Sequence, residues 1–187
     1  MIDSATSTLW NPESLMQEFT SAKTSINATK LPRTFSILQK MNVIKEGYVI
    51  ADIGGGKFDN AIDWASKNYN ANLFVFDPYN RSTEYNKNSM NHIANSQSDI
   101  VTVNNVLNVI KESDHRLLVL VQAYDALKEG GKAYILIYEG DSTGIGSATQ
   151  GNKSWQNNLK TKAYLDEVKY VFGNAIIKNG LIIAEKI

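Results

Sequence analysis

The chain has 187 residues, 43% of them hydrophobic, which suits one domain with a substantial core. Its 19 basic and 19 acidic side chains cancel to a formal net charge of zero, so composition gives no support to extended contact with nucleic-acid phosphates. With no cysteine, disulfides, thiolate metal sites and a cysteine nucleophile are excluded.

The amino-terminal residues do not pair a basic stretch with an apolar run, so they do not read as a signal peptide. The longest apolar run, Leu117 to Val121, is far below the ~20 residues of a membrane span. These features predict a soluble, cytoplasmic protein. Residues 1–45 form an amino-terminal helical and lid segment, and 46–187 form the core of a single domain. Asn11-Pro12 can start a short helix through Leu15, Met16 and Phe19. The polar stretch 20–32 reads either as a solvated connector or as a lid over a ligand. A helix presenting Phe35, Leu38 and Met41 follows.

From Tyr48 onward, short apolar runs alternate with helical stripes. The pattern predicts a strand at 48–53, a helix at 57–68 with Phe58, Ala61, Ile62 and Ala65 inward, and a strand at 72–77. A polar helix over 83–96 precedes a strand at 100–103. Ser113 is expected to cap a helix that Gly130-Gly131 terminates. A strand over 132–138 leads into a glycine- and serine-rich loop at 140–154, then a helix at 159–170. Strands at 171–177 and 181–186 flank Asn179-Gly180, a strong hairpin signal.

Strands alternating with helices imply an α/β fold: a three-layer, Rossmann-like, mostly parallel sheet with an antiparallel carboxyl-terminal hairpin. Such sheets bind ligands at the carboxyl ends of their strands. That edge collects Asp52, Gly54, Gly55, Gly56, Asp77, Asn104, Asn105, Glu139 and Asp141. In Tyr48-Val-Ile-Ala-Asp52-Ile-Gly54-Gly55-Gly56, an acid stands just before a glycine cluster that opens a helix. Glycine permits a sharp turn and lets the backbone approach a ligand. Asp77 ends the next strand, and two acids flanking a glycine loop suit a nucleoside with ribose hydroxyls.

These motifs resemble the class I S-adenosylmethionine-dependent methyltransferases. Asp52-Ile-Gly54-Gly55-Gly56 is similar to their first motif, Phe76-Asp77 to their acidic second motif, and Asp99 to Leu107 to their fourth strand. Leu127-Lys-Glu-Gly130-Gly131 looks like the linker into their fifth strand, and the resemblance spans 48–187. Within the class, Ser25-Ile-Asn27, Asp77-Pro78-Tyr79-Asn80-Arg81 and Tyr138-Glu139-Gly140-Asp141 resemble small phage and bacterial methyltransferases of unassigned substrate.

The resemblance implies S-adenosyl-L-methionine as cofactor and in-line methyl transfer to an acceptor. Gly54, Gly55, Gly56, Asp77, Pro78, Asn104 and Asn105 would bind the donor, with Asp77 on the ribose hydroxyls. Asp52 would orient the loop or meet the methionine ammonium, or else cap the turn. Asp77 before proline is also a turn initiator. Glu139 and Asp141 are the catalytic candidates, as general base or as orienting acids, with Lys153, Trp155 and Gln156 as further acceptor contacts.

Phe58 departs from the full glycine pattern. Asp77 and Asp99 stand too close for the strand and helix that the full fold carries between them, so a six-stranded sheet lacking one edge strand is expected. The usual adenine contact is lost with that unit, leaving Asn80, Arg81 or the lid to cover adenine. Asp77-Pro78-Tyr79 follows the second strand, unlike the Asp-Pro-Pro-Tyr motif of DNA amino methyltransferases. The acceptor is open among nucleic acid, protein and small molecule, with no membrane and no metal partner. His92 and His115 lack metal-ligand spacing. Two other readings are a non-catalytic S-adenosylmethionine-binding module and a nicotinamide-dependent reductase. In the latter, Asp59 would oppose the pyrophosphate.

Overall fold

A computed structural model describes residues 17–20, 29–93, 97–149, 151 and 153–187. The expected helix through Leu15 lies largely outside these residues, as does most of the polar stretch after Thr20. The first described helix, α1 (Arg33–Met41), buries Phe35 and Leu38 completely. Asn42 closes it in the left-handed conformation (φ 53°), a position where asparagine can stand in for glycine. Then follow β1 (Val49–Ile53), α2 (Asn60–Tyr69), β2 (Asn72–Phe76), α3 (Thr83–Ile93) and β3 (Ser98–Asn104). A 3-10 turn at Leu107–Val109 leads to α4 (Ser113–Ala126) and β4 (Leu127–Leu136), and a second, Thr161–Tyr164, precedes the last helix. The chain continues through β5 (Ser147–Thr149), β6 (Ser154–Gln156), α5 (Leu165–Phe172), β7 (Ile176–Lys178) and β8 (Leu181–Glu185).

The main sheet has six strands in the order β2-β1-β3-β4-β8-β7. The first four are mutually parallel, and β8 and β7 run antiparallel. Strand alternation sends Ala51, Val101, Val103 and Ile135 to one face, against Leu120, Ala123, Val168 and Phe172 of α4 and α5. Ile50, Leu73, Val75 and Ile100 face the other way, against α1 and α2. Each fully buried aliphatic or aromatic side chain of this kind contributes ~1.5–3 kcal/mol. The expected mostly parallel sheet with an antiparallel hairpin is present. β2 is an edge, with α3 the sole described element between it and β3.

Several boundaries differ from the sequence reading. The helix expected to stop at Gly130-Gly131 ends at Ala126, because Leu127 already pairs with Ser98 of β3. Both glycines lie in β4, beside a register shift between Ser98 and Ile100. A Cβ on Gly131 would lie 2.9 Å from the Ser98 and Lys128 carbonyl oxygens, so glycine serves close strand approach here. The cap of α4 is Glu112, with no side-chain bond, rather than Ser113. Val171 and Phe172 belong to α5, since Val168 and Phe172 together fill the core at helical spacing. Phe58 precedes α2 instead of lying within it. The glycine-rich loop contains an unanticipated two-stranded sheet, β5–β6.

No described helix is long and apolar enough to cross a membrane.

Candidate functional site

The carboxyl ends of β1 and β2 are tied together by one side chain. Asp77, 4% exposed, accepts a 2.9 Å hydrogen bond from the Gly56 amide at Oδ2. Its Oδ1 accepts from the amides of Tyr79 (3.0 Å) and Asn80 (2.9 Å), which shapes the turn through Pro78. The turn-initiating reading of Asp77 is thus realised, and the same carboxylate also holds the glycine loop. Asn86 of α3 fixes the backbone of Asp77 from behind, accepting from its N–H at 3.0 Å and donating to its carbonyl at 3.0 Å.

The glycine loop is clamped a second time by Arg81. Its Nε donates to the Gly56 carbonyl (2.6 Å), Nη2 to the Phe58 carbonyl (2.9 Å), and Nη1 pairs with Asp59 (2.7 Å). The guanidinium also lies 4.5 Å over the Tyr85 ring. Arg81, an expected adenine cover, spends its donors on the loop. No local pattern signals this clamp, since both partners are backbone carbonyls distant in sequence.

Asp52 lies beneath the loop, 1% exposed. Thr102 Oγ1 donates to its Oδ1 at 2.7 Å, and Oδ2 has no hydrogen-bond partner among the described residues. Burial pushes this carboxyl up to about 7, with the Thr102 bond opposing the shift. A Cβ on Gly55 would sit 2.5 Å from Asp52 Oδ2 and 2.9 Å from Val75 Cγ1, so glycine is required for the loop to cross this acid. The helix-capping alternative is not what the geometry shows, as α2 is capped by Asp59.

After β3, Asn104 Oδ1 accepts a 2.8 Å bond from Thr34 Oγ1, which seats the first turn of α1 over the strand end. Asn105 takes a left-handed conformation (φ 57°), and its amide N–H donates to the Leu136 carbonyl. The far wall is organised by residues 155–158. Gln156 accepts from Asn108 and donates to the Tyr138 carbonyl; Asn157 donates to the carbonyls of Leu107 and Ile110. Asn158 donates to the Ile145 carbonyl and packs against Gly140, where a Cβ would lie 2.0 Å from its Oδ1. Asn157 and Asn158 escaped the sequence reading, because a run of amides looks like an ordinary loop.

Glu139 Oε1 accepts from the Thr161 amide (2.7 Å) and hydroxyl (2.8 Å), which hold its pKa below the ordinary value. Asp141 Oδ1 accepts from the Thr143 amide and hydroxyl, with the same direction of effect. His92 stacks on Phe74 at 4.2 Å, and His115 sits 3.6 Å from Glu112. Among the described residues no group of three His, Asp or Glu could hold a metal.

A cavity of about 710 Å3 joins these parts. Gly54, Gly55, Gly56, Asp77, Pro78, Asn104, Asn105 and Asp141 line it together with Trp155 and Gln156. Asp52 lies below the glycine floor, and Glu139 stands beside the wall without lining it. Phe58 and Arg33 line the cavity as well, and neither was among the expected site residues.

A sheet of this order, with a glycine loop after its first strand and an antiparallel hairpin at its end, is the class I methyltransferase fold. The structure is similar to the Burkholderia thailandensis 1,6-didemethyltoxoflavin-N1-methyltransferase with its ligand and S-adenosylhomocysteine bound. That likeness has a TM-score of 0.62 at 13% identity over 82% of this chain and 76% of that one. A TehB-like S-adenosylmethionine-dependent methyltransferase from Corynebacterium glutamicum gives 0.53 at 15% identity, covering 84% and 89%. One from Methanosarcina mazei gives 0.54 at 12%, covering 80% and 97%. No family model and no curated protein sequence matches the chain.

Proposed function

We propose that the chain is an S-adenosylmethionine-dependent methyltransferase (EC 2.1.1.-). The observation that carries this reading is the coupling of Asp77 to the Gly56 amide at the rim of a large cavity, on a methyltransferase sheet. Asp77 accepts from the ribose hydroxyls, in place of the longer bonds from Asn80 Nδ2 at 3.1 and 3.2 Å. Gly54, Gly55 and Gly56 bring backbone to the methionine and ribose portions, and Pro78 borders the nucleoside. Asn104 and Asn105 stand at the strand end where methyl passes from donor to acceptor. Asp52 supports the loop from below.

Asp141, which lines the cavity, serves as an orienting acid at its wall. Glu139 acts through the loop it holds to Thr161. The protein's contribution to transfer is alignment of sulfur, methyl carbon and nucleophile.

Calorimetric titration of wild type and Asp77→Ala with S-adenosylmethionine and S-adenosylhomocysteine tests the reading, with NADH in parallel. Micromolar binding that the substitution abolishes is expected. Binding of NADH alone, or of neither donor form by folded protein, refutes it.

A further inference from the structure

Independently of the methyl-donor reading, we propose that β7, one edge of the main sheet, pairs with β7 of a second copy of this chain about a two-fold axis at Ile176. The two edges of the sheet differ. β2 exposes Asn72 alone of its five residues, whereas all three residues of β7 are exposed, Ile176 at 59% and Ile177 at 44%. An edge strand that shows apolar side chains on both faces is a template for another strand.

The hairpin register decides which backbone groups face outward. Asn179 and Gly180, with φ of 54° and 76°, form a two-residue turn closed by the pair Lys178–Leu181. Bonded and non-bonded pairs alternate along such a ladder, so Lys178 and Ile176 turn their backbone groups toward β8. Ile177 and Ala175 therefore turn theirs away from the sheet. An axis at Ile176 sets Ile177 of each copy opposite Ala175 of the other, and each such pair exchanges two backbone hydrogen bonds.

Side chains agree with that register. Ile176 shares a face with Ile183, and Ile177 with Ile182, so the axis brings Ile176 against its own copy and Ile177 against Ala175. Lys178 then lies across from Asn174, whose side chain bonds the N–H (3.0 Å) and carbonyl (2.8 Å) of Glu185. Lys178 of one copy thus extends toward Glu185 of the other, on the same face. The Glu185 side chain is 45% exposed, and its carboxylate, 3.4 Å from Lys132, has acceptor sites for a second cation. Moving the axis to Ile177 would set Lys178 against Ile176 and lose this charge match. A contact between strands this short buries less than the ~800 Å2 per partner of a standard interface, so the dimer is weak and concentration-dependent. The paired edge is the one farthest from β2, which leaves the Asp77 end of each cavity clear.

Sedimentation equilibrium from ~0.01 to ~1 mM protein, a range spanning weak affinities, tests this together with amide hydrogen exchange. Wild type should pass from monomer to dimer mass. Over the same range the Ala175 and Ile177 amides should become protected, while the Lys178 amide, already bonded within the hairpin, should not change. Ile176→Lys, which places two cations at the axis, should weaken association at least tenfold. Ile177→Pro should do the same, since it removes an outward N–H and none of the β7–β8 bonds. Exchange on wild type decides the matter even if a variant does not fold. A monomer at every concentration overturns the proposal, as does a dimer that persists in both folded variants. Protection of Ala175 and Ile177 at all concentrations also overturns it, because the edge would then be covered by the chain itself.

Discussion

Thr102 Oγ1 donates a 2.7 Å hydrogen bond to Asp52 Oδ1 across the β1–β3 ladder, where the two residues are register partners. Same-face neighbours on adjacent parallel strands bring them together. Among the described residues this is the one hydrogen bond to a carboxyl otherwise enclosed by the glycine loop and Val75. Thr102→Val keeps the shape and removes the donor. Removing one partner of a buried polar pair costs ~1–3 kcal/mol, and denaturant titration should show a loss in that range.

The same carboxyl makes stability fall with rising pH. Asp52 goes from 3.8 in a solvated chain to about 7 in the folded one, so the folded state binds more protons between those values. Its contribution is therefore full below 3.8 and declines as pH climbs toward about 7. Asp52→Asn removes a charge that burial penalises. Thermal melts of wild type and variant should converge at acid pH, with the variant gaining relative to wild type above pH 7; an unchanged difference across the range counts against it.

Gly55→Ala forces a methyl into the space of Asp52 Oδ2 and Val75 Cγ1, both buried and unable to retreat far. Overpacking of this kind costs ~1–3 kcal/mol. Because the loop must lift to relieve it, S-adenosylhomocysteine affinity should fall together with stability. Calorimetry on a folded variant with wild-type affinity would contradict this.

Asp77→Asn can preserve the Oδ1 bonds to Tyr79 and Asn80 while turning an NH2 toward the Gly56 N–H. Loss of a hydrogen bond to a charged group is worth ~1.5–3 kcal/mol, or about 10–100-fold in Kd. Donor binding should weaken by that factor. The reversed substitution pattern, an intact donor site in the asparagine variant, would show that charge at this position is dispensable.

Gly146→Ala addresses the other end of the cavity. Its Cβ would overlap Trp155 Cζ2, displacing the indole without touching the glycine loop. Radiolabelled methyl transfer to an acceptor should fall with donor binding retained. Equal loss of both would place Trp155 in the donor site.

The parallel sheet was legible because short apolar runs alternating with helical stripes permit few other arrangements, and Asn179-Gly180 marked the hairpin. The glycine cluster and Asp77 announced themselves because a turn before a helix and an acid at a strand end are local features. Gly130 and Gly131 misled, since a glycine after a helix and a glycine at a strand irregularity look alike until the partner strand is present. Tertiary structure alone decided that Arg81 clamps the glycine loop, that Thr102 holds Asp52, and that Gln156, Asn157 and Asn158 tie the far wall together. Each is a contact between segments far apart along the chain. Hydrophobic period and turn chemistry fix which elements form; which polar groups meet at their ends follows only from how those elements pack.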